Sequence, residues 1–449
     1  MNRLLSSGGI VVLVLCGALS LEAAPAAARS RSRRSHVARS APLVYQAELL
    51  DGGEVASGGA DAEINPASVV KVATSMWALE TLGPDFRWET RVLARGTVGS
   101  DEGTLDGDLV VQGGGDPDFQ DENAFLVAAA LNRAGLRTVT GALKVDKDFW
   151  IGWENGSEGT LSDPVKRGLR MAERLRRALD SRRWSAGMRR QWAEFAVRRG
   201  LDPRRPPRVR VLGGVGVTAD AGSGSLLLVH RSKPLLDVLH RFDTYSNNDI
   251  ERLGLLLGSA DALAAHLTRR LDDPSGDIRL ETLSGLGTNR LTPRLVVRLL
   301  RAFRDTCRRH GLTVEDVLPV AGCGPGTVTR FFPKLSHGSA ATAVVAKTGT
   351  LTNTDGGVTV LAGFANTADG EIAFCVASPR AGRHIAYARR SEERWVLQLI
   401  DAHGGPKPRP CATALALPTD GASLILATDT LVADTPQAGA PAGSGGSRE

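Results

Sequence analysis

Around residue 70 the chain reads Ser68-Val69-Val70-Lys71, which places a serine and a lysine three positions apart. On a helix these positions lie on the same face, so the Lys71 amine can reach the Ser68 hydroxyl. A lysine whose pKa is lowered by burial or by a nearby cation can take the proton of a serine and activate it as a nucleophile. Short motifs also recur by chance, so a Ser/Lys pair without a role remains an alternative at this point.

The residues around this motif predict the helix that it requires. Asn65 is a favoured N-cap, Pro66 suits the first helical position, and Gly83-Pro84 ends the element. Ser68 then falls in the first turn. Free backbone N–H groups and the positive end of the helix dipole stabilise a developing oxyanion there.

A second motif, Ser246-Asn247-Asn248, follows far along the chain. We expect it on a loop that faces Lys71. Ser246 would relay a proton between Lys71 and a leaving amine, and the Asn248 amide would hold the backbone of a substrate. Taken alone, the triplet is also typical of a solvated turn.

The third motif, Lys347-Thr348-Gly349-Thr350, follows a short apolar run that predicts a strand. A cationic Lys347 with the hydroxyls of Thr348 and Thr350 would bind a carboxylate, and its charge would lower the pKa of Lys71. The missing side chain of Gly349 would leave room for a substrate peptide along the strand edge. A strand that begins with lysine by chance is the alternative.

The three motifs in this order are typical of class A β-lactamases and penicillin-binding proteins. With them the chain resembles the D-alanyl-D-alanine carboxypeptidase/endopeptidase family of penicillin-binding proteins, of the low-molecular-mass class C. The wide separation of the first two motifs is typical of this family. Further similar blocks are Asn65-Pro66-Ala67, Leu82-Gly83-Pro84-Asp85-Phe86, Gly113-Gly114-Gly115-Asp116-Pro117, Ser284-Gly285-Leu286, Leu291-Thr292-Pro293, Leu318-Pro319-Val320-Ala321-Gly322 and Leu361-Ala362-Gly363-Phe364.

The resemblance implies an α/β fold with a β-lactamase/transpeptidase-like domain, in which an antiparallel sheet lies between helices. This catalytic domain would be discontinuous, with residues 43–85 and 230–402, and residues 86–229 would form an inserted accessory region. The implied activity is that of a serine-type D-Ala-D-Ala carboxypeptidase, a DD-endopeptidase, or both, acting on peptidoglycan stem peptides through an acyl-enzyme on Ser68. β-Lactams would acylate the same serine, and the N–H groups of Ser68 and Thr350 would hold the oxyanion.

Two other functions remain open at this point. One is a β-lactamase or esterase on the same scaffold, and the other is a catalytically impaired cell-wall binding protein. The second is suggested by departures from the family pattern: Asn247 stands where an acidic residue is usual, Gly287 stands where a serine is usual, and the stretch 353–360 looks a few residues longer.

The ends of the chain have their own composition. Residues 1–28 have Arg3, an apolar run and small residues, which predict a secretory signal peptide, although an uncleaved anchor or lipidation at Cys16 are alternatives. Residues 29–42 read as a basic disordered segment, and the Pro-, Ala- and Gly-rich residues 403–449 as a disordered tail. We therefore expect an exported, periplasmic protein.

Four cysteines lie beyond the predicted signal peptide: Cys307, Cys323, Cys375 and Cys411. An exported chain can pair them in three ways, and Cys307 and Cys323 are the nearest in sequence. Cys375 lies in an apolar strand and is expected to be buried. No Cys/His cluster has metal-ligand spacing, so we expect no metal and no cofactor.

Residues 163–210 contain sixteen Lys or Arg and only five Asp or Glu, in a chain whose net charge is +6. Their apolar residues keep roughly helical spacing, which predicts an amphipathic helix with a basic outer face. Such a face is either simply solvated or a contact surface for an acidic polymer or anionic lipid head groups. Nucleic acid is disfavoured because the chain is expected to be exported.

Overall fold

The computed structural model describes residues 42–99, 103–153, 163–273, 275–411 and 415–427. The strands are β1 (Val44–Leu49), β2 (Glu54–Gly58), β3 (Glu89–Val98), β4 (Thr104–Gln112), β5 (Thr138–Val139), β6 (Leu143–Val145), β7 (Arg210–Val211), β8 (Val215–Val217), β9 (Ser225–Arg231), β10 (Val344–Leu351), β11 (Val358–Thr367), β12 (Gly370–Ser378) and β13 (Ser423–Leu426). The helices are α1 (Val70–Leu82), α2 (Asp121–Arg133), α3 (Pro164–Leu179), α4 (Ala186–Arg198), α5 (Leu235–Tyr245), α6 (Gly254–Leu257), α7 (Ala260–Arg270), α8 (Pro293–Arg309), α9 (Thr327–Phe331), α10 (Pro333–His337) and α11 (Ile385–Ala402).

The first sheet contains strands from both sequence segments of the catalytic domain. Its strands run in the order β10-β11-β12-β1-β2, and every neighbouring pair is antiparallel. The turn at 51–53 closes the β1–β2 hairpin, as its Asp-Gly-Gly sequence predicts. Residues far apart in sequence thus form one sheet, and the domain is discontinuous.

Strand β12 shows why this sheet needs helices on both faces. Side chains alternate between the two faces of a strand. Ala373, Cys375 and Ala377 belong to the core that the sheet shares with α1 and α8. Phe374 and Val376 belong to the core on the opposite face, with α11. Since both faces are apolar, both must be covered, which gives the predicted three layers.

The second sheet belongs to the inserted region. Its main path runs β13-β9-β3-β4-β5-β7, and β6 and β8 extend it beside β4. Helices α2 and α3 cover one side of it, and Met171, Ala172, Leu175 and Leu179 of α3 are buried against this sheet. The accessory region therefore has a core of its own.

A buried ion pair ties the accessory region to the catalytic domain. The Lys233 ammonium lies 2.8 Å from an Asp118 carboxylate oxygen, and both side chains are only 1% exposed. Arg241 approaches the same carboxylate at 3.4 Å, and the Trp153 indole N–H donates to it at 2.9 Å. A buried carboxylate needs such partners because its desolvation is costly.

The prediction of a disordered tail from residue 403 is wrong for part of that segment. Strand β13 pairs with β9 in antiparallel register, from Ser423 opposite Arg231 to Leu426 opposite Leu228. The composition suggested disorder because Pro, Ala and Gly dominate it, whereas the four residues 423–426 gain their order by completing an existing sheet edge. The rest of the tail beyond residue 427 lies outside the described residues.

The disulfide joins Cys323 to Cys411 rather than the nearest pair in sequence. Cys307 lies on α8 and is a buried free thiol in the core that α8 shares with α1. Cys375 is also a buried free thiol, as the sequence predicts. The bridge fixes the segment after α11 to the loop that precedes α9.

The predicted signal peptide and most of the basic segment 29–42 also fall outside the described residues. Among the residues that are described, no helix has both the length and the apolar character needed to cross a bilayer.

We predict that Cys411→Ser lowers the free energy of unfolding by about 2–4 kcal/mol, because the bridge closes a loop of 88 residues. Denaturant unfolding of the variant and the wild type measures the difference. A reductant should destabilise the wild type to the same level and leave the variant unchanged. Equal stability of the two proteins without reductant would contradict the prediction.

Candidate active site

Three segments meet at the Lys71 amine. Lys71 lies in the first turn of α1, is fully buried, and its Nζ is 3.0 Å from the Ser68 Oγ. The same nitrogen donates to the Asn248 side-chain oxygen at 2.8 Å and to the Ser284 carbonyl oxygen at 2.6 Å. A single atom thus connects the first and second motifs with the Ser284-Gly285 loop.

Burial favours the neutral form of this amine. It holds the pKa of Lys71 well below its usual range, and the nearby Lys347 cation lowers it further, while Asp243 and Glu251 oppose the shift. A neutral amine has two N–H donors and one lone pair. Asn248 and Ser284 take the donors, so the lone pair is left to face the Ser68 hydroxyl.

The second motif lies at the end of α5. Ser246 caps this helix in the left-handed conformation, with φ of 55°, and its hydroxyl accepts a hydrogen bond from the Lys347 ammonium at 2.9 Å. Asn247 accepts from the Asp249 backbone N–H at 2.8 Å and caps the following turn. An aspartate oxygen would serve in the same way, so Asn247 can replace the usual acidic residue in this contact.

The third motif begins with a buried cation. The Lys347 Nζ donates to the Ser246 hydroxyl and, at 2.9 Å, to the Thr348 carbonyl oxygen. Burial lowers the pKa of Lys347 to about 8, and Asp243 opposes the shift. Lys347 is therefore mainly cationic at neutral pH, as its expected role requires.

The side-chain hydroxyls of the two threonines in this motif bind residues other than Lys347. The Thr348 hydroxyl donates to the Thr327 hydroxyl at 2.8 Å. The Thr350 hydroxyl donates to the Gly349 carbonyl oxygen at 2.7 Å and accepts from the Arg389 guanidinium at 2.8 Å. They form a wall with α9 and α11, beside the Lys347–Ser246 contact.

Half of the outer edge of β10 is covered by protein. The Ala321 N–H donates to the Val344 carbonyl at 2.8 Å, and the Ala346 N–H donates to the Pro319 carbonyl at 3.1 Å. Because backbone direction alternates along a strand, the N–H groups of residues 348 and 350 also point outward. The structure describes no backbone partner for Thr350 on this side, so the strand edge is free there for a peptide.

The packing of the protein itself accounts for the glycine at position 349. A Cβ at this position would lie 2.6 Å from the Pro66 carbonyl oxygen and 3.4 Å from the Ser68 nitrogen. The missing side chain thus admits the protein's own nucleophile turn, and room for a substrate remains a prediction. Gly285 serves in the same way, because its Cβ would lie 1.9 Å from the Ala67 carbonyl oxygen.

Asp243 is a site residue that the sequence motifs did not indicate. It is fully buried on α5, three positions before Ser246, and accepts a 2.8 Å hydrogen bond from Ser75, one turn beyond Lys71 on α1. Burial raises the pKa of Asp243 to about 6, against the opposing effect of Lys347. Its carboxylate therefore links the helices of the first two motifs and favours the charged forms of both lysines.

The second carboxylate near Lys71 is Glu251. Its two side-chain oxygens accept from the backbone N–H groups of Leu283 at 3.1 Å and Ser284 at 2.7 Å. This contact holds the loop whose carbonyl binds Lys71. The Ser284-Gly285-Leu286 block offered the only signal in the sequence, and it did not indicate that a backbone carbonyl is the functional group.

The other departures from the family pattern have local explanations. Gly287 has a φ of 76°, a left-handed conformation in which a serine would be strained, and a Cβ there would also require the Glu281 carboxylate to shift. In the loop 353–360, Asp355 accepts from the Asn65 amide at 2.8 Å and forms a two-pronged ion pair with Arg290. Asn65 in turn accepts from the Ala67 N–H at 3.0 Å, so this loop braces the nucleophile turn.

A cleft of about 820 Å³ opens beside Asn248. The accessory region contributes Lys147, Asp148 and Trp150 to its lining, and the catalytic domain contributes Asn248 and Glu251. Within the described ranges no group of three or more potential ligands is placed to hold a metal ion.

The model for the D-Ala-D-Ala carboxypeptidase 3 (S13) family matches residues 37–164 and 208–391, which is more than half of the chain. The chain belongs to this family. It is a serine-type hydrolase of the D-Ala-D-Ala carboxypeptidase class, as its three motifs predict. The unmatched stretch between these two matches, 165–207, contains most of the basic segment.

Two carboxypeptidases illustrate the relationship. One of Mycobacterium tuberculosis is 27% identical over 404 residues, which is 82% of this chain and 78% of the relative. A D-alanyl-D-alanine carboxypeptidase of an Actinomadura species is 35% identical over 108 residues, which is 24% of this chain and 20% of the relative.

Solved structures share the fold. The predatory endopeptidase Bd3459 of Bdellovibrio bacteriovorus superposes with a TM-score of 0.68 at 23% identity, covering 86% of this chain and 98% of that one. Penicillin-binding protein 4 of Haemophilus influenzae superposes with a TM-score of 0.56 at 18% identity, covering 79% of this chain and 96% of that one. The predicted fold class is confirmed. A family that acts on the cell wall is also consistent with an exported protein.

We predict that Asp243→Asn moves both limbs of the pH–rate profile to lower pH, measured as hydrolysis of a peptide that ends in D-Ala-D-Ala. Asp243 favours the charged forms of Lys71 and Lys347, so removing its charge lowers the pKa of both. The rising limb follows deprotonation of Lys71, and the falling limb, near pH 8 in the wild type, follows deprotonation of Lys347.

Ser75→Ala is the matched control, because it breaks the contact with Asp243 and leaves the carboxylate in place. This variant should reduce the rate without moving the falling limb, since Asp243 is ionised near pH 8. If Asp243→Asn also lowers the rate with unmoved limbs, Asp243 only holds the two helices together.

Proposed function

We propose that this protein is a serine-type D-Ala-D-Ala carboxypeptidase, a DD-endopeptidase, or both, which cleaves peptidoglycan stem peptides through an acyl-enzyme on Ser68. The observation that carries the proposal is the 3.0 Å approach of the buried Lys71 amine to the Ser68 hydroxyl. The catalytic residues are Ser68, Lys71, Ser246, Asn248 and Lys347.

In the first step Lys71 accepts the Ser68 proton as Ser68 attacks the penultimate carbonyl carbon of the stem peptide. The lone pair that faces the hydroxyl supports this role, because Asn248 and Ser284 occupy the amine's donors. The new oxyanion would be held by the N–H groups of Ser68 and Thr350. The outward direction of the Thr350 N–H along β10 supports its part in this.

The substrate lies antiparallel to the free half of β10, with its carboxylate near Lys347, Thr348 and Thr350. The Asn248 side chain holds the peptide backbone. Ser246, which accepts from the Lys347 ammonium, passes the proton to the leaving D-amino group as the C–N bond breaks. Water then attacks the acyl-enzyme, its proton returns through Lys71, and Ser68 is released.

We further propose that the protein works in the periplasm, with residues 1–28 as its signal peptide. The sequence pattern of this segment supports export. Peptidoglycan lies outside the cytoplasmic membrane, so a stem-peptide substrate requires the same location.

We predict that penicillin adds the mass of one drug molecule to the mature protein and that Ser68→Ala abolishes this adduct. Lys71→Ala should slow acylation by about a hundred- to ten-thousandfold, the usual contribution of a general base. Intact-mass spectrometry over time measures both effects, and Ser246→Ala should leave the serine acylable at a reduced rate.

A folded wild-type protein that forms no adduct would favour a cell-wall binding protein without catalysis. An adduct that is hydrolysed within seconds would favour a β-lactamase. Chromatography of muropeptides after incubation separates the remaining pair of activities, because a carboxypeptidase releases free D-alanine and an endopeptidase splits cross-linked dimers into monomers.

We also propose that the basic segment 163–210 contacts an acidic polymer of the cell envelope. Within this segment, Arg182, Arg189 and Arg190 are exposed and form no ion pair with any described residue. The aromatic side chains of α4, Trp192 and Phe195, are buried in the accessory core. The large apolar side chains that the segment exposes are aliphatic: Val165, Leu169 and Val197. Because charged side chains far outnumber these, charge provides the main attraction, which favours an acidic polymer over lipid.

We predict that Arg189→Glu with Arg190→Glu weakens binding to an anionic polysaccharide several-fold at low salt, measured by sedimentation with the insoluble polymer. Arg269→Glu with Arg308→Glu is the control, because it changes the net charge equally at exposed positions elsewhere. An equal loss of polysaccharide binding in both double variants would show that only the net charge matters. If the wild type binds anionic vesicles but does not bind the polymer, the result would favour lipid.

A further inference from the structure

The loop that follows the third motif contacts the turn that carries the nucleophile. Asp355 lies shortly after Thr350, and one of its carboxylate oxygens accepts a hydrogen bond from the Asn65 amide at 2.8 Å. The side-chain oxygen of Asn65 accepts in turn from the Ala67 N–H at 3.0 Å. Because Ala67 directly precedes Ser68, Asp355 reaches the nucleophile through a single intervening side chain.

The Asn65 amide is buried, and three partners fix its orientation. Its nitrogen donates to the Gly287 carbonyl oxygen at 2.9 Å as well as to Asp355, and its oxygen faces the Ala67 N–H. A rotated amide would turn its own N–H donors toward that N–H, where no hydrogen bond can form. Loss of the Asp355 carboxylate would remove one of the contacts that prevent this rotation and leave a buried N–H without that acceptor.

The turn that Asn65 holds has a strained backbone. Ala67 has a φ of 47° and Asp355 has a φ of 54°, both in the left-handed region that residues other than glycine rarely adopt. Such a conformation persists only where surrounding contacts determine it. One amide therefore joins two strained positions, and the shape of the nucleophile turn depends on this contact.

Asp355 is itself held in one orientation. Two nitrogens of the Arg290 guanidinium donate to its two carboxylate oxygens, each at 2.9 Å. The loop backbone is fixed at the next residue, where the Gly356 carbonyl oxygen accepts from the Gly382 N–H at 2.8 Å. A two-pronged guanidinium pair fixes the plane of a carboxylate, so Asp355 presents the same oxygen to Asn65 at all times.

We propose that Asp355, acting through Asn65, is a positioning residue of the oxyanion hole. It holds the Ser68 N–H at a fixed distance from the Thr350 N–H, which precedes the loop on the same segment of chain. The inference rests on the proposed function, in which these two N–H groups hold the oxyanion. Asp355 contacts no reacting atom, so its effect is on the rate of acyl transfer and not on the binding of substrate.

The test is a double-mutant cycle on the full mature chain, with a peptide that ends in D-Ala-D-Ala as substrate. Asp355→Gly should lower kcat about ten- to hundredfold and leave KM nearly unchanged, because a displaced oxyanion donor weakens only the transition state. Asn65→Ala should lower kcat at least as much. The double variant should be no slower than Asn65→Ala alone, because Asp355 acts through that amide.

Glycine is chosen at position 355 because it suits the left-handed backbone, so the variant loses the carboxylate without new strain. Asp272→Gly is the matched control: Asp272 is exposed after α7, has a φ of 48°, and its carbonyl oxygen accepts from Arg298. Its kcat should equal that of the wild type. Asp355→Asn should retain most of the activity, because its side-chain oxygen can still accept from Asn65.

Three results would overturn the inference. The first is a double variant in which the two losses of kcat multiply, since Asp355 would then act independently of Asn65. The second is an equal loss of kcat in Asp272→Gly. The third is an effect of Asp355→Gly on KM alone. Denaturant unfolding of each variant shows that the rates belong to folded protein.

Penicillin acylation in the same preparations separates this inference from the proposed function. If a folded wild type gains no penicillin adduct and does not cleave the peptide, the proposed function fails. If the wild type is acylated and cleaves the peptide, and the losses of the two single variants multiply, only the role of Asp355 fails.

Discussion

The burial of Lys71 is the constraint on which the site depends. An ammonium without water costs several kcal/mol unless it is fully partnered, so the amine is either neutral or surrounded by acceptors. Here its hydrogen-bond partners come from three segments, at Ser68, Asn248 and Ser284. Each segment must therefore be placed to within a few tenths of an ångström. The arrangement that satisfies the hydrogen bonds of the buried amine is therefore also the arrangement that catalysis requires.

Close backbone packing is how the fold meets this constraint. Ala67 has a φ of 47°, a left-handed conformation that is unusual for alanine and typical of strained functional turns. Gly285 and Gly349 press on this turn from two sides, and Asn65 holds it through its bond to the Ala67 N–H. The loop 353–360 reaches the same turn through Asp355. The nucleophile is held by backbone contacts that only small side chains permit.

The sequence predicted those parts of the site that depend on local spacing. Ser68 and Lys71 are one turn apart, and the motif order identified the family, so the fold class followed from the resemblance. The Ser284 carbonyl and Asp243 were missed because each contacts the site from a distant segment, and nothing in their own neighbourhoods distinguishes them. The pairing of Cys323 with Cys411 and the order of β13 depend on long-range packing in the same way.

The insertion between the first two motifs is part of the site and not an appendage. The chain leaves the catalytic domain after α1, builds the accessory sheet and returns through β9 into α5, the helix that ends at Ser246. Strand β13 then closes the edge of that sheet from the far end of the chain. Asp118 of the insertion holds Lys233 just before α5 in a buried ion pair. Because α5 also carries Asp243, which accepts a hydrogen bond from Ser75 of α1, the accessory region is anchored beside the helix that links the second motif to the first.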